Sequence, residues 1–492
     1  MGTWRLVSLP HDKRPIKCRW RYVIKADGRF KARLVAKGFT QVQGIDYFSP
    51  VLRYKSIWYI LAPVALLDWE IKAMDVKTAF LYRELKEEIY MEQPQGFVVK
   101  GQEKKVCKLV KSIYRLKHAG WVWYELMADT LRRKLGFERI YSDARVYVLC
   151  RQGGNQTKII LILYVNDLLL MGNNLSMINR IKKKLGKAYH MKDLGATQSY
   201  LGIRITRDRA HRCIWIDQEA YIDSAITQFH LMNANDTKTP LPTGIHLTKS
   251  ETPSSMNLRT KYQQLIGTLL YAALGTRPDI AFAVTQLSRF NSDPTEEHLR
   301  YAKYVLRYLK GTKSLWICYD GSSNASLIGY SDSDWGKNKD DCHSTSGQVF
   351  TLANGAISWA SQHQKMVALS VGESEYMELA ATGHQCAWLR SFSAEIGFPF
   401  TQAMTICVDN QAAIFLAINP AVERRTKHID IHHHYIHEQV ETKIIDLYHI
   451  TREENPADLF TKPLPVVKVE KFRSLIGLMQ ELKLHTGTRT RK

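Results

Sequence analysis

Two apolar rhythms run along the chain. Residues 161–172, LILYVNDLLLMG, are apolar on both sides of one polar pair, Asn166 and Asp167. Two short apolar runs hinged on turn-forming residues predict a buried β-hairpin. The stretch WEIKAMDVKTAFLY alternates over residues 71–74, which predicts a strand ending at Asp75. Further on, YQQLIGTLLYAALGTRPDIAFAVTQLSRF and TEEHLRYAKYVLRYLKGT carry apolar residues at helical spacing, the second opening with Thr295 and an acidic first turn at Glu297. From about Ser326 the pattern shifts to short strands (ASLIGYSDSDW, GQVFTLANGAISWAS, MTICVDN) interleaved with helices such as GESEYMELAATGHQCAWLRSFSAEIG, predicting a second α/β region. Residues 233–257 mix Pro, Gly, Ser and Thr without apolar periodicity and read as a long connection. The last stretch, VEKFRSLIGLMQELKLHTGTRTRK, predicts a short amphipathic helix running into a basic, solvated tail.

The length of 492 residues accommodates two to four domains at about 150 residues each. Charge changes the picture more than length does. Lys plus Arg number 69 against 47 Asp plus Glu, a net +22 that attracts a polyanion such as nucleic acid. A membrane role is the weaker reading, because the longest uncharged apolar stretch, IWYILAPVALL, is too short to span a bilayer and contains Pro63. No apolar segment follows the basic residues near the start, so no signal peptide is expected, and Leu6 stands where a myristoylation signal has Ser or Thr. The eight cysteines form no C-x-x-C pair, which argues against zinc knuckles and a disulfide framework and for an intracellular location, cytoplasmic and/or nuclear.

Candidate chemistry starts at the polar break. A strand-end carboxylate at Asp75 and an acidic hairpin at Asp167 are what two-metal phosphoryl transfer needs, since two Mg²⁺ ions roughly 4 Å apart must share carboxylates. An Asn-Asp pair also simply suits a hairpin turn.

Many further motifs stand in one order: FKARLVAKGFTQVQGIDYFSPV, MDVKTAFL, EEIYMEQPQGFV, CKLVKSIYRLKHA, YVND, MKDLG, YLGIRI, TRPDIAFAV, HSTSGQVF, GAISWAS, VDNQAAI, TKHIDI and NPADLFTKPL. Together they resemble the reverse transcriptase and ribonuclease H part of a copia-type retrotransposon polyprotein, over nearly the whole chain. The resemblance implies that Asp75 is the first metal-binding aspartate of the polymerase palm and Asp167 the second aspartate of its hairpin. It further implies that Phe80 is a steric gate beneath the incoming sugar. Arg33 and Lys37 match fingers residues that neutralise a triphosphate, although any basic strand face reads similarly. Asn166 departs from the family, which has Asp there; an amide brings no charge to offset a dication. Arg115 stands where the family has Gly, His118 for Gln, Gly120 for Pro and Trp121 for Arg, and GIDYFSPV is shortened.

For the nuclease, the resemblance implies four metal-binding carboxylates, Asp332, Glu375, Asp409 and Asp458, although Asp334 and Glu373 nearby are equally acidic. Val371 and Gly372 replace the family's Ser-Thr. His428/His432 and His433/His437 are i, i+4 pairs at zinc-ligand spacing, but no Cys or His partner from another element is evident, and His428 is expected near nucleic acid or in local packing.

The expected fold is a mixed α+β and α/β multidomain chain. It comprises a right-hand polymerase of fingers, palm and thumb (1–235), a linker and helical connection (236–325), a ribonuclease H-like α/β domain (326–466), and an amphipathic helix with basic tail (467–492). The expected function is RNA-directed DNA polymerase with ribonuclease H, using Mg²⁺ on an RNA template, a DNA primer, dNTPs and the RNA/DNA hybrid, with the polymerase centre impaired by Asn166. No protease, integrase or zinc-knuckle stretch is visible, so a non-autonomous fragment is expected. The alternatives are a non-catalytic nucleic-acid-binding relic of the same element and an interaction protein reusing the fold.

Overall fold

The computed structural model describes residues 2–24, 28–40, 50–85, 87–117, 119–151, 156–250, 252–323, 325–419 and 435–480. Contacts divide the chain into two compact units, one of residues 1–52 with 70–197 and one of 53–69 with 198–492.

The first unit is built on a six-stranded antiparallel sheet in the order Met191–Ala196, Glu70–Val76, Asp167–Gly172, Thr157–Tyr164, Val146–Arg151, Glu138–Arg139. The hairpin read from LILYVNDLLLMG is its centre. Leu161, Leu163, Leu168 and Leu170 pack with Trp123, Met127, Ile178 and Leu185 from the helices Ala119–Asp129 and Leu175–Ala188. Ile160, Ile162, Leu169 and Met171 on the other face are equally inaccessible, which is why both strands read as continuous apolar runs instead of alternating. Burying each such side chain contributes roughly 1.5–3 kcal/mol, which anchors the hairpin firmly in the unit. A smaller antiparallel pair, Cys18–Ile24 with Phe30–Ala36, and a three-stranded sheet of Trp4–Val7, Val106–Leu109 and Tyr90–Met91 complete it.

The second unit contains two five-stranded sheets. One joins Ser199–Tyr200, Ile203–Asp208, Cys213–Asp217, Trp316–Asp320 and Leu478–Met479. The other runs Gly355–His363, Thr345–Leu352, Ile328–Ser333, Met404–Val408, Ile445–His449, with the first three antiparallel and the last three parallel. The helix Val371–Glu395 lies on this sheet with Leu379, Cys386, Leu389 and Phe392 buried. The helical spacing over YQQLIGTLLYAALGTRPDIAFAVTQLSRF is realised as two helices, Met256–Gly275 and Ala281–Ser288, separated at Arg277 and Pro278. Thr295 caps Glu296–Gly311, with His298 closing a capping box. Among the described residues, no helix is long and apolar enough to cross a membrane.

Two expectations need correction. The contacts do not divide at residue 235, because the strand Cys213–Asp217 pairs with Trp316–Asp320 and so ties residues after 197 to the second unit. The helix Tyr54–Leu66 also belongs there: residues 56–65 are all buried, and the Tyr59 hydroxyl bonds Ser393 while its ring meets Phe392 edge-on at 5.4 Å. A helix buried on every face shows no amphipathic stripe. The C-terminal stretch is likewise no solvated end up to Gln480. Val469 and Phe472 of the helix Val466–Leu475 are buried, and Leu478 pairs with Ile317. Residues 481–492 lie outside the described residues.

Candidate functional site

In the first unit, strand register brings the two expected aspartates together. Asp167 is the direct cross-strand partner of Asp75, and Lys192 faces Asp75 from the other side. The hairpin turn is Val165–Asn166, with Val165 at φ +50°, a left-handed conformation that a β-branched residue rarely adopts. Two bonds hold that turn: the Trp123 indole donates to the Val165 carbonyl at 2.6 Å, and the Val76 amide donates to the Asn166 carbonyl at 2.9 Å. The Asn166 Oδ1 is buried with no hydrogen-bond partner among the described residues. Burial, then the Asp75 charge, pushes the Asp167 carboxyl up to about 6.

Asp75, Asn166, Asp167, Phe80, Arg33 and Arg115 line one cleft of about 470 Å³. Phe80 meets Tyr114 edge-on at 5.0 Å, and the Arg33 guanidinium lies 5.6 Å from the same ring. Lys37 is not among the lining residues; it sits just beyond the strand Phe30–Ala36, where its charge acts on Cys18. Arg115 has φ +67°, so the backbone keeps a glycine-type conformation under a long side chain, a strain of roughly 1–2 kcal/mol. Trp121 packs on Tyr124 at 5.8 Å. His118 and most of the shortened GIDYFSPV loop lie outside the described residues. Sequence reasoning missed Tyr114, Lys192 and Lys77, which line the neighbouring cleft with Asp75 and Asn166. The motif MKDLG held the signal for Lys192, but only register shows that it faces Asp75.

The second centre collects carboxylates from separate elements. Asp332 lies on the strand Ile328–Ser333 and Asp409 just past Met404–Val408; these strands are parallel neighbours, so both acids sit at the same sheet edge. Asp458 comes from the turn Pro456–Phe460, which Asn455 fixes by donating its side-chain amide to the Ser331 carbonyl at 2.9 Å. Gly347, opposite Asp332, lets this turn approach: a Cβ there would lie 2.6 Å from the Thr461 methyl and 2.8 Å from the Phe460 Cβ. One oxygen each from Asp332, Asp409 and Asp458 lies within 4.8 Å of the others.

Glu375 stands beside this triad and outside it. Its Oε2 accepts the Ser333 amide at 3.1 Å. Ser370 caps the helix by accepting from the Glu373 amide, just ahead of Val371 and Gly372. Asp334 instead accepts the Thr345 amide at 2.6 Å, and Glu373 the Leu369 amide at 2.8 Å, so neither joins the triad. Burial first, and the charge of Asp332 next, raise the carboxyls of Asp409, Glu375 and Asp458, the last to about 7. The Asp409 Oδ2 is buried without a hydrogen-bond partner among the described residues. An orphan oxygen beside converging carboxylates suits a hard dication, so these residues fit a metal of the Mg²⁺ type. Lys462, which the sequence reading passed over, reaches Asp458 Oδ1 at 2.5 Å and Asp332 Oδ2 at 3.3 Å. Burial lowers the basicity of Lys462, but these two acids hold its ammonium above the ordinary value. Of the histidine run, His437 is described and hydrogen-bonds the Ala417 carbonyl at 2.7 Å; His428, His432 and His433 lie outside the described residues.

Comparison with known proteins bears on both centres. Residues 1–243 match the family described as reverse transcriptase (RNA-dependent DNA polymerase). The Retrovirus-related Pol polyprotein from transposon TNT 1-94 of Nicotiana tabacum is 42% identical over 490 residues, covering 97% of this chain and 36% of that protein. The corresponding polyprotein from transposon RE1 of Arabidopsis thaliana is 36% identical, over 97% of this chain and 32% of its own length. A putative transposon Ty5-1 protein of Saccharomyces cerevisiae is 35% identical over 63% of this chain and 99% of its own length. The chain belongs to the reverse transcriptase family of copia-type retrotransposon Pol polyproteins. This reverse transcriptase relative spans about a third of the length of the two plant polyproteins. Both of its units are of mixed α/β content. A foamy viral protease-reverse transcriptase in complex with double-stranded DNA overlays on it with a TM-score of 0.22 and 14% identity, too low to say more of the fold.

Proposed function

We propose that the chain is a retrotransposon-derived enzyme in which the second unit cleaves the RNA strand of an RNA/DNA hybrid while the first holds template and primer at a weakened polymerase centre. The convergence of Asp332, Asp409 and Asp458 carries this reading. Mg²⁺ bound by these three, with Glu375 beside them, would supply acidity to an attacking water and offset charge on the phosphate. The chain's own contribution is placement. Asn455 holds the Asp458 turn against the strand bearing Asp332, and Ser333 holds Glu375 at the same edge. The excess of basic residues favours a polyanionic substrate.

In the first unit we read the residues 1–52 and 70–197 as fingers and palm, with Arg33 and Phe80 lining the nucleotide cleft and Lys37 at its margin. Asp75 and Asp167 are the polymerase acids of this reading, and the neutral Asn166 leaves them one charge short. A second reading, a non-catalytic nucleic-acid-binding relic, is favoured by Arg115 as well, since a long side chain lines the cleft where the family has glycine. One assay pair separates the two. Hybrid-dependent RNA cleavage with Mg²⁺, lost in Asp409→Asn, together with little primer extension, is expected of the first reading; absence of cleavage by the unaltered chain leaves the relic.

A further inference from the structure

We propose that Lys462 is a tethered counter-cation that holds the acid centre of the second unit together until a divalent ion displaces it, and so sets how tightly that centre takes metal. The inference rests on reading Asp332, Asp409 and Asp458 as a metal centre.

The ammonium is on a short leash. Lys462 follows Asp458 by four residues, and its backbone amide bonds the Asp458 carbonyl at 3.3 Å, continuing the turn that carries the acid. From there its Nζ touches one oxygen of each of two converging carboxylates, at 2.5 Å on Asp458 and 3.3 Å on Asp332. Thr461 donates its hydroxyl to the same Asp332 Oδ2. Thr461 and Lys462 thus both engage Asp332 Oδ2, and Lys462 meets Asp458 Oδ1 as an ion pair; Asp458 Oδ1 and Asp409 Oδ2 are both without a hydrogen bond among the described residues.

Packing acids this close is unfavourable unless a cation lies among them, because burial weakens their solvation and raises their mutual repulsion. Lys462 supplies that cation without any metal. A dication drawing on Asp332 and Asp458 needs the oxygens that the ammonium holds, so the two compete. The lysine has a way out, since its side chain is 25% exposed while those of Asp332 and Asp458 are nearly inaccessible. A lysine that instead oriented Asp332 for the metal would have the opposite effect, because its removal would weaken metal binding. Competition and orientation thus differ in sign.

The test uses the full chain and Mg²⁺ alone, without nucleic acid, in Lys462→Met and Lys462→Arg variants. With chelator present, Lys462→Met is expected to unfold several degrees below the unaltered chain, and Lys462→Arg close to it. Calorimetric titration is expected to give Lys462→Met a Mg²⁺ dissociation constant about tenfold lower, as when a competing state populated nine times in ten is removed. Its melting temperature should then meet that of the unaltered chain at saturating Mg²⁺. Should Lys462→Met fail to fold in chelator, refolding on Mg²⁺ addition is the expected result, and failure to refold while Lys462→Arg folds overturns the proposal. Unchanged or weaker Mg²⁺ binding by Lys462→Met, with the unaltered chain binding normally, also overturns it while leaving the metal centre standing. If the unaltered chain binds no Mg²⁺, or Asp409→Asn binds it equally well, the metal centre and the inference fall together.

Discussion

The two acid centres are assembled by different means. Asp75 and Asp167 face each other because they are partners in one antiparallel ladder, so the hydrogen bonds that make the sheet also make the pair. Asp332, Asp409 and Asp458 come from a strand, the end of its parallel neighbour and a turn almost fifty residues later along the chain. A ladder keeps its geometry when a side chain changes, and the first centre shows it: the turn stands with an amide at Asn166 and the sheet is undisturbed. The second centre depends on a close approach at Gly347 and on an ammonium at Lys462. On the proposed reading, loss of charge weakens the first centre chemically while leaving it folded, whereas the second couples charge to folding.

The largest expected effect is Asp409→Asn, which should reduce hybrid-dependent RNA cleavage by about 10²–10³-fold while leaving far-ultraviolet circular dichroism unchanged. Equal cleavage by the variant would end the contrast between a complete centre and an incomplete one. Next comes Gly347→Ala, whose Cβ meets the Asp458 turn; it should destabilise the second unit by about 2–3 kcal/mol, read in urea unfolding, and cleavage should fall with it. For the first centre, Asn166→Asp alone should restore primer extension poorly, and Asn166→Asp with Arg115→Gly should extend further and be about 1 kcal/mol more stable by relief of the left-handed residue. Full recovery from Asn166→Asp alone would show that Arg115 is harmless.

The smallest effect on activity concerns Glu378, fully buried in the helix that carries Glu375, where burial pushes its carboxyl up to about 8. Because the folded value lies above the ordinary one, the stability it allows is complete below about pH 4.5 and is lost as pH rises through about 8. Glu378→Gln keeps the shape without the proton, so its stability relative to the unaltered chain should rise steadily between about pH 4.5 and about pH 8 and differ little below about pH 4.5. A pH-independent difference in melting temperature would contradict this.

Much of the upstream geometry was legible in the chain itself. A strand ending at Asp75 and a hairpin turning at Asn166 are local statements, and the register that joins them follows once both strands share a sheet. The helical start at Thr295 was equally local, since a cap is read within four residues. Other features were hidden for a physical reason. Lys462 reads as one more solvated lysine until the Asp458 turn folds against the sheet. The helix Tyr54–Leu66 carries no periodic stripe to announce that it packs with Phe392 and Ser393. That Glu375, expected as a fourth ligand, stands beside the triad with its Oε2 on the Ser333 amide was likewise decided by packing.

Composition and motif order alone established a basic chain with two α/β regions and acids suited to phosphate chemistry, because strand and helix periods and net charge are properties of short segments and sums. Tertiary structure alone decided which acids meet, which lysine lies among them and which unit claims residues 53–69. Those outcomes depend on contacts between residues far apart in the chain, where burial strengthens each charge and no local pattern records the neighbour.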